Sequence, residues 1–443
     1  MSDMPRSPAL WLQRASPAVF TVFASLAGFA TYFSMYAFRK PFAAASFDHI
    51  EGWHFVLDFK ITIVIAQVMG YATAKFIGIK VIAEMRSAGR ARAILALIGL
   101  SWAALVLFAI APAGVKVAAM FLNGLGLGMI WGLVFSYMEG RRTSEILGAV
   151  LCASFIVSSG AVKSVGLLLM SHLRVPMFWM PAATGLAFAP LLFLGVWGLS
   201  SLPPPSADDE RARVRRAPMT GREVRAFLAQ YGVGVALLVA TYVLATALRD
   251  FRDNFAAELW GALGYSDPAG VFTSAELPVA AVALVAMGII VKVQDNRRAL
   301  AVIHAMILGG LFLLGASTLA FEAGWLGPLS WMIASGAGLY VVYTPFNAML
   351  FDRLVAVSGR VANAGFLIYV ADSAGYAGSC ALILWRNLGL KQIEWLGVFK
   401  SAIYAIFLLG AALVTLSLIY FNARARNAVV NPTPSPAVIP NHP

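Results

Sequence analysis

Charge is scarce in this chain. Asp, Glu, Lys and Arg make up 12% of its 443 residues, about half the share usual in soluble domains. With 60% hydrophobic residues and a mean hydropathy of +0.79, too little polar surface remains to cover a globule in water, so the chain belongs in lipid. Cysteine is nearly missing. Cys152 and Cys380 fall inside apolar runs, where they act as small apolar residues and carry no information on redox compartment. The five histidines are scattered, with His442 in the tail, which excludes zinc-ligand spacing. No Gly-rich loop followed by Lys-Ser/Thr and no Ser-His-Asp grouping is present either. Catalytic residues, metal ligands and cofactors are therefore not expected.

Long apolar runs are what the chain has instead. A helix needs about 20 apolar residues to cross roughly 30 Å of hydrocarbon. Runs of that kind lie near 17 to 46, 56 to 78, 92 to 112, 115 to 138, 145 to 170, 177 to 200, 228 to 258, 270 to 291, 299 to 320, 325 to 349, 361 to 386 and 398 to 421. The expectation is an all-α membrane protein of twelve helices.

The net charge of +12 collects in short loops. Lys80 to Arg92, Arg141 to Arg142, Arg211 to Arg225, Lys292 to Arg298, Arg353 to Arg360 and Arg424 to Arg426 fall on one side, with Arg6 and Arg14. Positive loops mark the cytoplasmic side, so both termini are expected there. Basic residues scattered in this way report topology and do not form a nucleic-acid surface. The first run is too long for a cleaved signal and reads as a retained helix.

Residues 201 to 226, opening Ser201-Leu202-Pro203-Pro204-Pro205 and passing through Asp208-Asp209-Glu210 into an Arg-rich stretch, break the apolar pattern most completely. The expected organisation is a six-helix bundle over 1 to 200, a cytoplasmic linker over 201 to 226, a second bundle over 227 to 425 and a disordered tail over 426 to 443. The halves echo one another. Ile79-Lys80-Val81 followed by Glu84 and Arg86 matches Val291-Lys292-Val293 followed by Asp295, Arg297 and Arg298. Parallel six-helix repeats with a site at their interface describe one large class of alternating-access transporter.

Arg39 in the first run and Arg249 in the seventh occupy nearly equivalent places in the two halves. A guanidinium at bilayer depth costs at least about 2.5 to 3.5 kcal/mol and cannot shed its proton, so it persists where something negative or wet compensates it. Two of them across a cavity would clamp a phosphate or carboxylate.

Tyr32-Phe33-Ser34-Met35-Tyr36-Ala37-Phe38-Arg39-Lys40-Pro41-Phe42 resembles the first-helix signature of the organophosphate:phosphate antiporters of the major facilitator superfamily, which include glycerol-3-phosphate and hexose-phosphate transporters. Gly70 to Gly78, ending Lys75-Phe76-Ile77-Gly78, is similar to their lysine-containing second helix, and Phe121-Leu122-Asn123-Gly124 to Met129-Ile130-Trp131-Gly132 to their fourth. Leu248-Arg249 falls at the second phosphate-binding arginine, and Glu276 where the eighth helix carries an acid. The family's fifth helix carries a histidine; here stands Ile156-Val157-Ser158-Ser159-Gly160, followed by Lys163. The stretch Asp250-Phe251-Arg252-Asp253-Asn254-Phe255 is also more charged than the family pattern. The resemblance implies a bacterial side branch of the superfamily in the inner membrane, moving an organic anion that contains phosphate.

Tyr32, Tyr36 and Arg39 lie at i, i+4 and i+7, so they share one helical face and would offer donors to tetrahedral oxygens. The alternative makes the tyrosines packing residues and Arg39 a snorkelling side chain. Arg249 is expected as a second ligand unless Asp253, at i+4, neutralises it. Arg252 and Asp253 read as gating or structural pairs. Lys75 would draw anions inward or snorkel. Lys163, mid-helix, is expected to face the cavity or pair with Glu276 or Asp372. Those two carboxylates would carry a proton or neutralise a cation. Lys60, Gln67, Asn123, Tyr340, Tyr343 and Asn347 are secondary candidates for lining the cavity, and Glu139-Gly140-Arg141-Arg142 and Asp352-Arg353 for cytoplasmic ion pairs. The expected partners are a small organic anion and the bilayer, with the chain a monomer. A transporter-like sensor and a membrane-embedded lipid-phosphate enzyme are the alternatives; the repeat argues against the enzyme.

Overall fold

The computed structural model describes residues 8–47, 50–85, 89–138, 141, 143–205, 209, 221–265, 269–358, 364–389 and 394–430. Glu139, Gly140, Arg142, most of the linker and the tail from Asn431 lie outside the described residues. The spanning helices are α1 (Pro17–Ala37), α2 (Phe59–Glu84), α3 (Arg90–Ile110), α4 (Ala113–Leu127), α5 (Ser144–Ser171), α6 (Met180–Ser200), α7 (Gly221–Asn254), α8 (Ala269–Val291), α9 (Asn296–Glu322), α10 (Pro328–Ala348), α11 (Ala364–Gly389) and α12 (Trp395–Val430). After a break at Gly128 and Met129, α4 continues as Ile130–Phe135. Among the described residues, eleven helices are long and apolar enough to cross a membrane. The twelfth, α10, has 21 residues but carries Ser335, Tyr340, Tyr343, Thr344 and Asn347, all buried against neighbouring helices. The chain is a multi-pass membrane protein with an all-α, twelve-helix fold.

The first run does not stay helical through residue 46. Pro41 has no N–H and its ring would collide with the carbonyl of Ala37, so α1 ends at Ala37 and the chain turns before a short 3-10 helix, Pro41–Ala44. Arg39 therefore lies beyond the helix. Buried carbonyls left free at such an end need partners. Asn123 Nδ2 donates to Phe38 O at 3.0 Å and to Ser101 O at 3.1 Å. Gln67 Nε2 donates to Arg39 O at 3.0 Å and to Asn123 Oδ1 at 2.7 Å. Those two amides hold the backbone and do not serve as cavity lining.

Close backbone contact brings their helices together. A Cβ at Gly70 would lie 2.0 Å from Phe121 O, and one at Gly124 2.0 Å from Gln67 O, so α2 and α4 touch only because both positions are glycine. The same device joins α5 to α8, where a Cβ at Gly160 would lie 2.2 Å from Phe272 O. Beside it Ser164 Oγ donates to Ala269 O and lies 2.7 Å from Thr273 Oγ1. A second seam between the early and late helices pairs α2 with α11. The final helix runs to Val430, into the segment expected as tail.

Candidate functional site

The chain enters α1 and leaves α12 on one side, here the proximal side; the turn after α1 is distal. Tyr71 is twelve residues into α2 from its distal start, about 18 Å at 1.5 Å per residue, which is mid-depth for a helix of 26 residues. The Arg39 guanidinium carbon lies 4.0 Å from the Tyr71 ring centroid and 5.7 Å from that of Tyr36. Arg39 is 3% exposed. Its Nε has no hydrogen-bond partner, and among the described residues no carboxylate pairs with the group.

Arg249, 7% exposed, rests over Tyr343 at 4.2 Å and donates from Nε and Nη2 to Asp250 Oδ1, at 3.2 and 2.6 Å. Tyr36 and Tyr376 are each within electrostatic reach of both arginines, so the two guanidiniums share one aromatic compartment. A chain of contacts links them. Tyr343 meets the Tyr242 hydroxyl at 3.1 Å, Tyr242 donates to Asp372, Asp372 pairs with Lys75, and Lys75 lies 5.5 Å from the Tyr71 ring on which Arg39 rests.

A layer of ion pairs lies distal to the arginines. Asp253 at the end of α7 accepts from Lys40 at 2.6 Å, from Lys163 at 2.5 Å and from Ser159. Lys40 also donates to Asn254 Oδ1 at 2.8 Å, and Lys60 pairs with Glu258 at 2.5 Å. Asp58 accepts from Asn387 at 2.9 Å and lies 3.8 Å from Arg386. On the proximal side Arg353 pairs with Glu145 at 2.9 Å and donates to Asn296 Oδ1 at 2.9 Å.

Several expected partnerships are redistributed. Lys163 pairs with Asp253 and not with Glu276 or Asp372, because Glu276 is held by Arg252 at 2.6 Å and Asp372 by Lys75 and Tyr242. Arg249 is met by Asp250 and not by Asp253, which α7 turns toward α5. Tyr32 packs edge-on against Trp131 at 5.0 Å and Tyr36 at 5.6 Å, in an aromatic cluster. Of the secondary candidates, Lys60 is a cross-helix ion-pair member, Tyr343 is the platform for Arg249, and Asn347 Oδ1 lies 3.3 Å from the Tyr242 hydroxyl. The structure adds Tyr71, Tyr376, Lys40 and Asp250 to the residues read from the sequence. A tyrosine four residues before Lys75 on the same helix was the available signal for Tyr71.

A family model described as "Family of unknown function (DUF5690)" matches residues 41–424. A comparison with curated proteins finds no match. Among solved structures, the human organic anion transporter MFSD10 (TETRAN) is similar at 16% identity and a TM-score of 0.56, over 90% of this chain and 100% of that one. A D-xylose-proton symporter is similar at 15% identity and a TM-score of 0.59, over 91% and 96%. Similarity at this level gives the fold, which is that of the major facilitator superfamily.

Proposed function

The chain belongs to the DUF5690 family of unknown function and has the major facilitator fold; for it we propose a secondary active transporter of a small organic anion, foremost a phosphate ester, working by alternating access. Arg39 carries the reading. Burying a guanidinium at bilayer depth costs at least about 2.5 to 3.5 kcal/mol, and a desolvated cation–π contact such as that with Tyr71 returns about 2 kcal/mol. The fork of donors left over suits an oxyanion. Around it Arg39, Lys40, Lys75, Lys163, Arg249 and Arg252 face Asp250, Asp253, Glu276 and Asp372, six cations against four carboxylates. The excess of positive charge favours an anion over a neutral or cationic substrate.

Charge is also divided between the halves. Lys40, Lys60, Lys75 and Lys163 come from the early helices, and the carboxylates they bind, Asp253, Glu258 and Asp372, from the late ones. Rocking of 1–200 against 227–425, linked by 201–226, would break the distal pairs or the proximal Arg353–Glu145 pair in turn. In this reading Arg39 and Arg249 bind substrate, the Lys75–Asp372 pair and Lys163 with Asp253 latch the halves, and the Arg252–Glu276 pair braces α7 against α8 within the later half. The termini are cytoplasmic, the membrane is the bacterial inner membrane, and the protein is a monomer that catalyses no chemistry. Exchange against inorganic phosphate or movement with protons drives it.

Purified protein reconstituted in liposomes tests this by counterflow of phosphate, phosphate esters and carboxylates. A bound anion at 100 times its Kd raises stability by about 2.7 kcal/mol, readable as a melting shift. Flux and shift for the phosphate-containing probes are expected; neither with any anion would remove the proposal. A shift without flux would make the protein a sensor.

A further inference from the structure

Asp250 has no role in the scheme so far. It is 1% exposed and folds back on Arg249, its immediate neighbour, although successive side chains on a helix normally diverge. Both bonds from Arg249 end on Oδ1, and Oδ2 is buried with no hydrogen-bond partner. The charged and titratable groups that face the carboxylate are Arg249 on its own helix, Arg39 and Lys40 after α1, and the Cys380 thiol on α11. Lys40 is engaged by Asp253 and Asn254, so Arg249 is the ion partner that holds Asp250.

We propose that Asp250 is the proton-binding group that couples anion binding at Arg39 and Arg249 to proton movement, an inference that rests on the anion reading above. An oxyanion that takes the Nε and Nη2 edge of Arg249 displaces Asp250 Oδ1, which now occupies that edge. Asp250 is then a buried carboxylate without its partner, beside a second negative charge, and both conditions favour the neutral acid. One proton from water adds to the carboxylate and makes the acid; no other bond forms or breaks. Two guanidiniums and one carboxylate carry one net positive charge, and protonation of Asp250 makes it two, which a phosphate dianion neutralises. Asp253, Glu276 and Asp372 are poor candidates by comparison, because the cations that hold them are Lys40, Lys163, Arg252 and Lys75. An anion at Arg39 and Arg249 leaves those pairs in place.

The test is infrared difference spectroscopy of the full chain on adding inorganic phosphate, glycerol phosphate or succinate, beside a melting-shift measurement of binding. Wild type is expected to gain the carbonyl band of a protonated carboxylic acid when a probe binds, and Asp250→Asn to lose it. Asp250→Glu should retain a band at a shifted position, which guards against an asparagine variant that misfolds. A probe that shifts the melting point without producing the band, or a band that survives in Asp250→Asn, overturns the coupling role and leaves the anion site standing. If none of the three probes shifts the melting point, the anion reading fails and takes this inference with it.

Discussion

Arg39 rests on the face of Tyr71, 4.0 Å from its centroid, while Arg249 rests on Tyr343 at 4.2 Å. The two arginines differ in one respect. Arg249 donates directly to a carboxylate, whereas among the described residues no carboxylate lies within ion-pair distance of Arg39. A ring face supports a guanidinium without consuming its in-plane donors, so Arg39 is charged, desolvated and available.

Arg39→Lys retains the charge and loses the fork. Hydrogen bonds to a charged group contribute about 1.5 to 3 kcal/mol, so affinity for the bound anion should fall by about tenfold or more. Tyr71→Phe keeps the ring and should bind nearly as wild type, whereas Tyr71→Leu should weaken binding. Titration calorimetry reads all three. Wild-type affinity in Arg39→Lys would sink the anion clamp.

Asp253→Asn strands Lys40 and Lys163 in the distal layer. Removing one partner from a buried ion pair costs roughly 3 to 5 kcal/mol, and Lys163→Met added to that variant should recover part of the loss. Thermal unfolding of the single and double variants checks the sign. A double variant no more stable than Asp253→Asn would show that Lys163 is not held by this carboxylate.

The proximal latch should open more easily than the distal one. Glu145 is 32% exposed in its pair with Arg353, and partly solvated pairs contribute about 1 kcal/mol or less. Glu145→Gln should raise labelling of cysteines placed on the proximal side by about fivefold at most. Larger distal than proximal labelling in that variant would contradict the assignment of sides.

Gly160→Ala puts a methyl group where α8 passes closest, 2.2 Å from Phe272 O, and should drive α5 and α8 apart. Thr273→Cys should then react faster with a water-soluble maleimide. Gly309→Ala, which meets open space, is the control and should leave labelling unchanged. Equal labelling in both would mean that the α5–α8 seam yields without separating.

Run length made the helices legible, since twenty apolar residues in a row have few other uses. It even located α10, whose polarity is lower-grade evidence of a span. The turn at Arg39 was written in Pro41, but the apolar run continued past it and concealed the break. Arg39 and Arg249 were visible because charge is expensive in such surroundings. Their partners were not: Lys60 and Glu258 lie 198 residues apart, Lys75 and Asp372 297, and each pair meets only when the two halves pack. Asp250 was visible as a charge, yet nothing in the order Arg249-Asp250-Phe251-Arg252-Asp253 says which acid takes which base.

The polarity of α10 bears on how the protein is made. Its hydroxyls and its amide leave it outside the group of eleven apolar spans, and a helix with that composition partitions poorly into lipid alone. Trp331 at its start donates to Thr318 of α9 at 3.0 Å, and the ring stacks on Phe321 at 4.3 Å. Entry of α9 and α10 as the two arms of one hairpin would meet part of that polarity before the helix that supplies Tyr343 faces lipid alone.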